Sequence, residues 1–141
     1  MNFLIIVSPY YKDIADFLIE GASQTLKDNK ADYEILSVFG ALEIPVALKI
    51  ASETRKYDGF IALGCVIRGE TSHYDIVCNE SASGLQKLAL EHNLAIGNGI
   101  LTCDTMEQAL VRARPDGKNK GRDTALAALD IVNLKKKMKI T

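Results

Sequence analysis

Four short apolar runs, separated by stretches of helical periodicity, constrain this chain more than any other feature. NFLIIVS (2 to 8), YEILSV (33 to 38), GFIALGCVI (59 to 67) and LAIGNGIL (94 to 101) are each strand-length and nearly continuously apolar. That is the pattern of strands covered on both faces in a parallel sheet. Between them the apolar spacing changes from two to about 3.6. Ile14, Phe17, Leu18, Gly21, Ala22 and Leu26 form one helical stripe. Ile44, Ala47, Leu48 and Ala51 form a second, opened by Pro45, where a first-turn proline sacrifices no hydrogen bond. Tyr74, Val77, Cys78, Ala82, Leu85 and Leu88 form a third; Met106, Ala109, Leu110 and Ala113 mark a shorter helix, and Gly121, Ala125, Ala128, Leu129 and Val132 a last one. The order βαβαβαβαα predicts a three-layer α/β/α sandwich around a four-stranded parallel sheet, because right-handed crossovers between parallel strands place helices on both faces.

With 141 residues, one domain spanning 1–141 buries roughly two-thirds of its unfolded-chain surface and needs no staples. A formal net charge of -1 gives no field that would draw nucleic acid or an anionic membrane. Cys65, Cys78 and Cys103 are odd in number and widely spaced, with no CxxC pair and only two histidines in the chain. Reduced thiols in a cytoplasmic protein are expected, not a disulfide framework or a zinc site. The start MNFLIIVSPYY is too short in apolar residues to span a membrane and lacks the basic region and cleavage site of a signal peptide, so it is expected to be the first strand. The lysine run 135 to 137 suits a solvated helix end beside the negative pole of the dipole.

In open α/β sheets ligands collect beyond the carboxyl ends of the strands. The loops expected there are SPYYKD, FGALEIP, RGETSHYD and TCDT. Tyr10 and Tyr11 either pack against the helix layer or offer a flat ring to a heteroaromatic ligand. Glu43, just ahead of Pro45, either caps the helix electrostatically or, with nearby amides, binds a sugar-like or heterocyclic ligand. RGETSHYD is the richest loop: Gly69 allows a tight turn, and the N–H groups of Glu70, Thr71 and Ser72 lie near a helix N-terminus, an anion-binding arrangement. His73 at the same edge is the side chain suited to proton shuttling near neutral pH. His92, between a helix end and a strand, reads as a capping or surface residue. Arg112 on the short helix and Lys120 before the last one form either a solvated basic turn or the cations a phosphate ester requires.

GALEIP, GCVIRGETSHYD, VCNE and EQALVRA followed by KNKG together resemble the lumazine synthases, which act at the penultimate step of riboflavin biosynthesis and have a flavodoxin-like fold. The resemblance runs from the first strand to the final helix. It implies condensation of 5-amino-6-(D-ribitylamino)uracil with 3,4-dihydroxy-2-butanone 4-phosphate to 6,7-dimethyl-8-ribityllumazine, phosphate and water, without metal or organic cofactor. By motif, Tyr10 takes the place of the aromatic that stacks on the pyrimidine. Ala41, Leu42 and Glu43 border the pyrimidine and ribityl chain, and Cys65, Val66, Ile67 and Asn98 line the pocket further. Glu70 and Thr71, with Arg112, bind the phosphate substrate; His73 shuttles the proton and Lys120 assists electrostatically. Phe39, Leu42 and Asn98 depart from the family's usual proline and two phenylalanines, which bears on ring stacking and not on the reaction. The resemblance also implies a homo-oligomer with pockets shared between neighbours, a pentamer or a sixty-subunit shell, with pentamer expected. A receiver domain would need an acidic pair after the first strand and a flavodoxin a hydroxyl- and glycine-rich phosphate loop there; SPYY is neither. A relative that binds the lumazine without turnover is the other alternative.

Overall fold

Two strands with side chains buried along most of their length set the centre of the molecule. In the computed structural model, which describes residues 1–141, β1 (Asn2–Val7) and β3 (Gly59–Ile67) pair in parallel, flanked by β2 (Asp32–Ser37) and β4 (Ile96–Cys103) in the order β2-β1-β3-β4. The intervening helices are α1 (Lys12–Asp28), α2 (Ile44–Ser52, preceded by a 3-10 turn at Ala41–Glu43), α3 (His73–His92), α4 (Met106–Ala113) and α5 (Lys120–Lys137). The predicted element order and the three-layer parallel α/β architecture are both present.

Alternation along the strands divides the core in two, since successive side chains point to opposite faces. Phe3, Ile5 and Val7 of β1 join Ile61 and Leu63 of β3 against α1, α4 and α5. Leu4 and Ile6 join Phe60 and Ala62 against Ile44 and Leu48 of α2 and Leu85 of α3. The first layer is tighter because glycines stand at its crossings. A Cβ on Gly121 of α5 would run into the Leu18 carbonyl of α1, and one on Gly97 of β4 would run into the Thr124 carbonyl.

Two expectations need correction. β4 lies two residues later than the apolar run, because Asn93 ends α3 in the left-handed conformation and Leu94 is spent in closing that turn, its N–H donating to Ala89 O at 3.2 Å. The β2 run is not covered on both faces: Glu34, Ile35, Leu36 and Ser37 are exposed. It is an edge strand, and α2, only nine residues long, lies over β1. A groove of about 570 Å³ therefore runs beside Ile35, Leu36, Ala47 and Ile50. No helix is long and apolar enough to cross a membrane.

Candidate active site

Where β1 and β3 end, the loops of successive crossovers diverge and leave a cavity of about 440 Å³, the crevice in which open α/β sheets take ligands. A wider depression of about 690 Å³ at the amino ends of the strands is lined by charges of both signs, among them half-buried Lys49 and Lys135 and exposed Glu53 and Arg55, and lacks such convergence.

Buried Ser8 fixes the first wall: its N–H donates to Leu63 O at 3.0 Å and its hydroxyl to Phe39 O at 3.5 Å. It thereby ties the loop after β1 to the loop after β2. Tyr11 packs on the core, while Tyr10 is 72% exposed at the cavity, the two rings edge to face with centroids 5.0 Å apart. Packing thus accounts for one tyrosine, and the other presents a ring. Burial above all, then the neighbouring Cys65 and Tyr10, pushes the Tyr11 hydroxyl above its ordinary range.

The second wall is Phe39 to Glu43. Glu43 occupies the position ahead of α2, yet its carboxylate makes no capping hydrogen bond; its N–H donates to Gly40 O at 3.1 Å, closing the 3-10 turn. Capping by hydrogen bond therefore does not account for Glu43, whose exposed side chain lines the cavity beside buried Ala41 and exposed Leu42.

Cys65, Val66 and Ile67 at the end of β3 form the floor. Burial, with smaller contributions from the Cys103 and Cys78 thiols, pushes the Cys65 thiol up to about 12. It therefore stays neutral at physiological pH and lines the cavity as an apolar group, since the thiolate is the nucleophilic form.

The third wall is the loop into α3. Gly69 has no positive φ, so no left-handed turn requires it; a Cβ there would meet nothing within 4 Å, and the glycine instead leaves room at the mouth. Thr71 Oγ accepts from the His73 N–H at 3.3 Å. The N–H groups of Glu70, Thr71 and Ser72 make no hydrogen bond within the chain, so they are free to meet an anion at the start of a 20-residue helix. The His73 imidazole is exposed, lines the cavity and makes no hydrogen bond.

One chain thus brings together Tyr10, Ala41, Leu42, Glu43, Cys65, Val66, Ile67, Thr71 and His73, with Glu70 next to them in the loop. It leaves three predicted residues outside. Arg112 is on α4, where its Nη1 donates to Gln108 O at 3.0 Å. Lys120 opens α5 and faces Asp123 at 3.7 Å. Asn98 is exposed on the edge strand β4, its Oδ1 accepting from Ile100 N–H at 3.0 Å. The separation follows from the crossovers: α4 packs with α1 and α5 on one face of the sheet, and α3 covers the other. Sequence reasoning missed Phe39 as a lining residue, although it is 86% exposed; an aromatic ring in a glycine loop just past a strand was the signal. It also read Tyr74 only as helix stripe, whereas the ring reaches the cavity.

Loops that gather an aromatic ring, a carboxylate and an imidazole around a cavity at the tips of a parallel sheet define the class: an open-sheet α/β protein with its candidate site in the strand-tip crevice. The model of the family described as 6,7-dimethyl-8-ribityllumazine synthase matches residues 1–136, and the chain belongs to that family. Among its relatives carrying that name, the Zymomonas mobilis protein is 52% identical over 137 residues, covering 97% of this chain and 98% of its own length. The Agrobacterium fabrum protein is 49% identical over 142 residues (97% and 96%), and the Bartonella henselae protein 49% over 139 residues (97% and 90%).

Proposed function

We propose that this chain, acting as one domain, condenses 5-amino-6-(D-ribitylamino)uracil with 3,4-dihydroxy-2-butanone 4-phosphate to give 6,7-dimethyl-8-ribityllumazine, phosphate and water, a transferase reaction of riboflavin biosynthesis. The observation that supports this reading is the cavity itself, where an unpartnered imidazole shares the lining with an exposed tyrosine ring, an uncapped carboxylate and Thr71, with further unpartnered amides at Glu70 and Ser72 in the same loop. Membership of the family supports it along nearly the whole chain.

Residue roles follow from chemistry and place. The Tyr10 ring stacks on the pyrimidine, and Glu43 with the turn at Ala41 and Leu42 takes the ribityl hydroxyls. Cys65, Val66 and Ile67 supply an apolar floor. Amine attack on the ketone forms an imine and expels one water, phosphate leaves by β-elimination, and attack of the second amine on the remaining carbonyl closes the ring and expels a second water. Every step is an addition, an elimination or a proton transfer, so no electron carrier is called for. His73 passes the protons, and the amides of residues 70 to 72 with the Thr71 hydroxyl hold the phosphate as its charge grows. Holding both reactants in one cavity lowers the barrier by several kcal/mol or more, on the order of what effective molarity supplies.

Arg112, Lys120 and Asn98 reach a cavity only if a neighbouring copy brings them, so the working form is a homo-oligomer, a pentamer in the simplest case. Exposed Ile35, Leu36, Val46, Ile50, Ile76 and Leu90 support this, being large apolar side chains left uncovered in a single chain. Three free thiols fit a reducing cytoplasm, and neither nucleic acid nor membrane is a partner. The test mixes purified chain with both substrates and follows lumazine fluorescence against an enzyme-free blank. Product formed well above the blank supports the assignment; lumazine binding without turnover would make the protein a carrier and overturn it.

A further inference from the structure

We infer that Arg68 is a positioning residue, clamping the first turn of α3 so that the His73 imidazole is held over the cavity; the inference rests on the proton-shuttling role given to His73. Arg68 is the first residue beyond β3, and its N–H donates to Cys103 O at 3.0 Å, which locks its backbone to the last residue of β4. From there its guanidinium reaches three groups. Nε donates to Asp104 Oδ1 at 2.9 Å, Nη1 lies 3.6 Å from Asp75 Oδ1, and the guanidinium carbon sits 4.3 Å from the centroid of the Tyr74 ring.

Tyr74 and Asp75 are the two residues that follow His73; the Tyr74 hydroxyl also bonds toward Cys78 and Thr102, and the Asp75 N–H donates to Ser72 O at 3.0 Å, but the cap of the helix itself is weak. Ser72, at the N-cap position of α3, makes no side-chain cap bond, and the Thr71 contact at 3.3 Å is long. Asp104, by contrast, is anchored: its N–H donates to Gln108 Oε1 at 2.8 Å, within a loop closed by the Thr105–Gln108 capping box. One side chain therefore ties a loosely capped helix start to a rigid loop.

Arginine suits this because its planar head stacks on a ring and forks between carboxylates at once, which an ammonium does not do. Its ion pairs are about half exposed, so they contribute little to global stability. Their effect is on where the first turn of α3 points. Arg68 does not line the cavity, and it acts through its neighbours.

The experiment measures steady-state kinetics for both substrates in Arg68→Gln, Arg68→Lys, His73→Asn and the Arg68→Gln/His73→Asn double variant, with amide hydrogen exchange across residues 70 to 78. Arg68→Gln is expected to lower kcat about tenfold with both KM values within about twofold, a misplaced proton carrier costing rate more than binding. Arg68→Lys should recover part of that rate. The double variant should be no slower than His73→Asn alone, since the two residues act as one unit. Exchange at residues 75 to 78, where the backbone bonds of α3 begin, should quicken while β1 and β3 stay protected. An unchanged kcat, a double variant whose losses multiply, or unaltered exchange at the start of α3 would overturn the inference. If the unaltered chain formed no lumazine, the proposed function would fall, and the exchange data would still decide the clamp.

Discussion

At the scale of single residues, the proposed function separates holding the phosphate from moving protons. Arg112→Ala is expected to raise the KM for the butanone phosphate about ten- to a hundredfold, the equivalent of one charge-assisted contact, and to leave the KM for the pyrimidine nearly unchanged. Equal effects on both would remove Arg112 from the phosphate site. His73→Asn should lower kcat by roughly tenfold to a hundredfold, the low end for acid–base assistance because solvent reaches an exposed imidazole's place. Titration calorimetry with a ribityl-pyrimidine analogue should show binding retained; its loss would make His73 structural. Cys65 carries a pH signature. Its thiol is held at about 12 against an ordinary 9.0 by burial first and then by the other two cysteines. Below pH 9 it is protonated in both folded and unfolded chains. Between 9 and about 12 only the unfolded chain gives up the proton, so the stability present below pH 9 is lost as pH rises through that window. Denaturant midpoints recorded from pH 7 to 11 should fall less steeply for Cys65→Ala; identical slopes would refute the assignment.

At the scale of elements, glycines set how closely the helices approach. α5 sits against α1 because Gly121 meets the Leu18 carbonyl and Gly21 the Asn119 side chain, with nothing between them. An alanine at Gly121 meets backbone, which cannot swing aside. Gly121→Ala should destabilise the fold by about 1–3 kcal/mol or more, the usual cost of overpacking, read as a lower urea midpoint at constant m-value. No change would mean that α5 can lift away freely. The same elements show what was legible in the sequence. The bounds of β3 were readable to the residue, since a continuous apolar run ended by charge and glycine leaves little choice. β4 was placed two residues early because Leu94 looks like strand but closes the turn after α3, and Ala95 only leads into the ladder, its carbonyl accepting from the Phe60 N–H at 2.8 Å. β2 looked covered because its residues are apolar; composition cannot distinguish an edge strand awaiting a partner from a central one.

At the scale of the whole molecule, Arg112, Lys120 and Asn98 outside the cavity and the uncovered apolar side chains are what the proposed homo-oligomer would account for, each site being completed by a neighbouring copy. Light scattering on the purified protein should give about five times the 15.4 kDa chain mass, or a larger multiple for a shell; a monomer with full activity would sink the shared-site reading. A mixing experiment tests the same idea independently. Arg112→Ala and His73→Asn chains, unfolded together and reassembled in equal amounts, should regain about a quarter of their sites with both residues intact, as random pairing in a ring requires. Activity at low butanone phosphate should then exceed the mean of the two variants. Activity equal to that mean would place both residues in one chain's own site.

Taken alone, the sequence determined what is local. Apolar period, turn residues and the contents of the strand-tip loops are written in consecutive positions, and they sufficed for the layered parallel fold, for the family, and for Tyr10, Glu43, Thr71 and His73 as neighbours around one cavity. Only the tertiary structure decided which face each helix covers. That choice puts α3 and α4 on opposite sides of the sheet, so Arg112 and His73 end at the same edge without meeting. It also lets Arg68 join the first turn of α3 to Asp104, 36 residues away in the chain. Such outcomes depend on packing between remote residues, which no stretch of sequence encodes by itself.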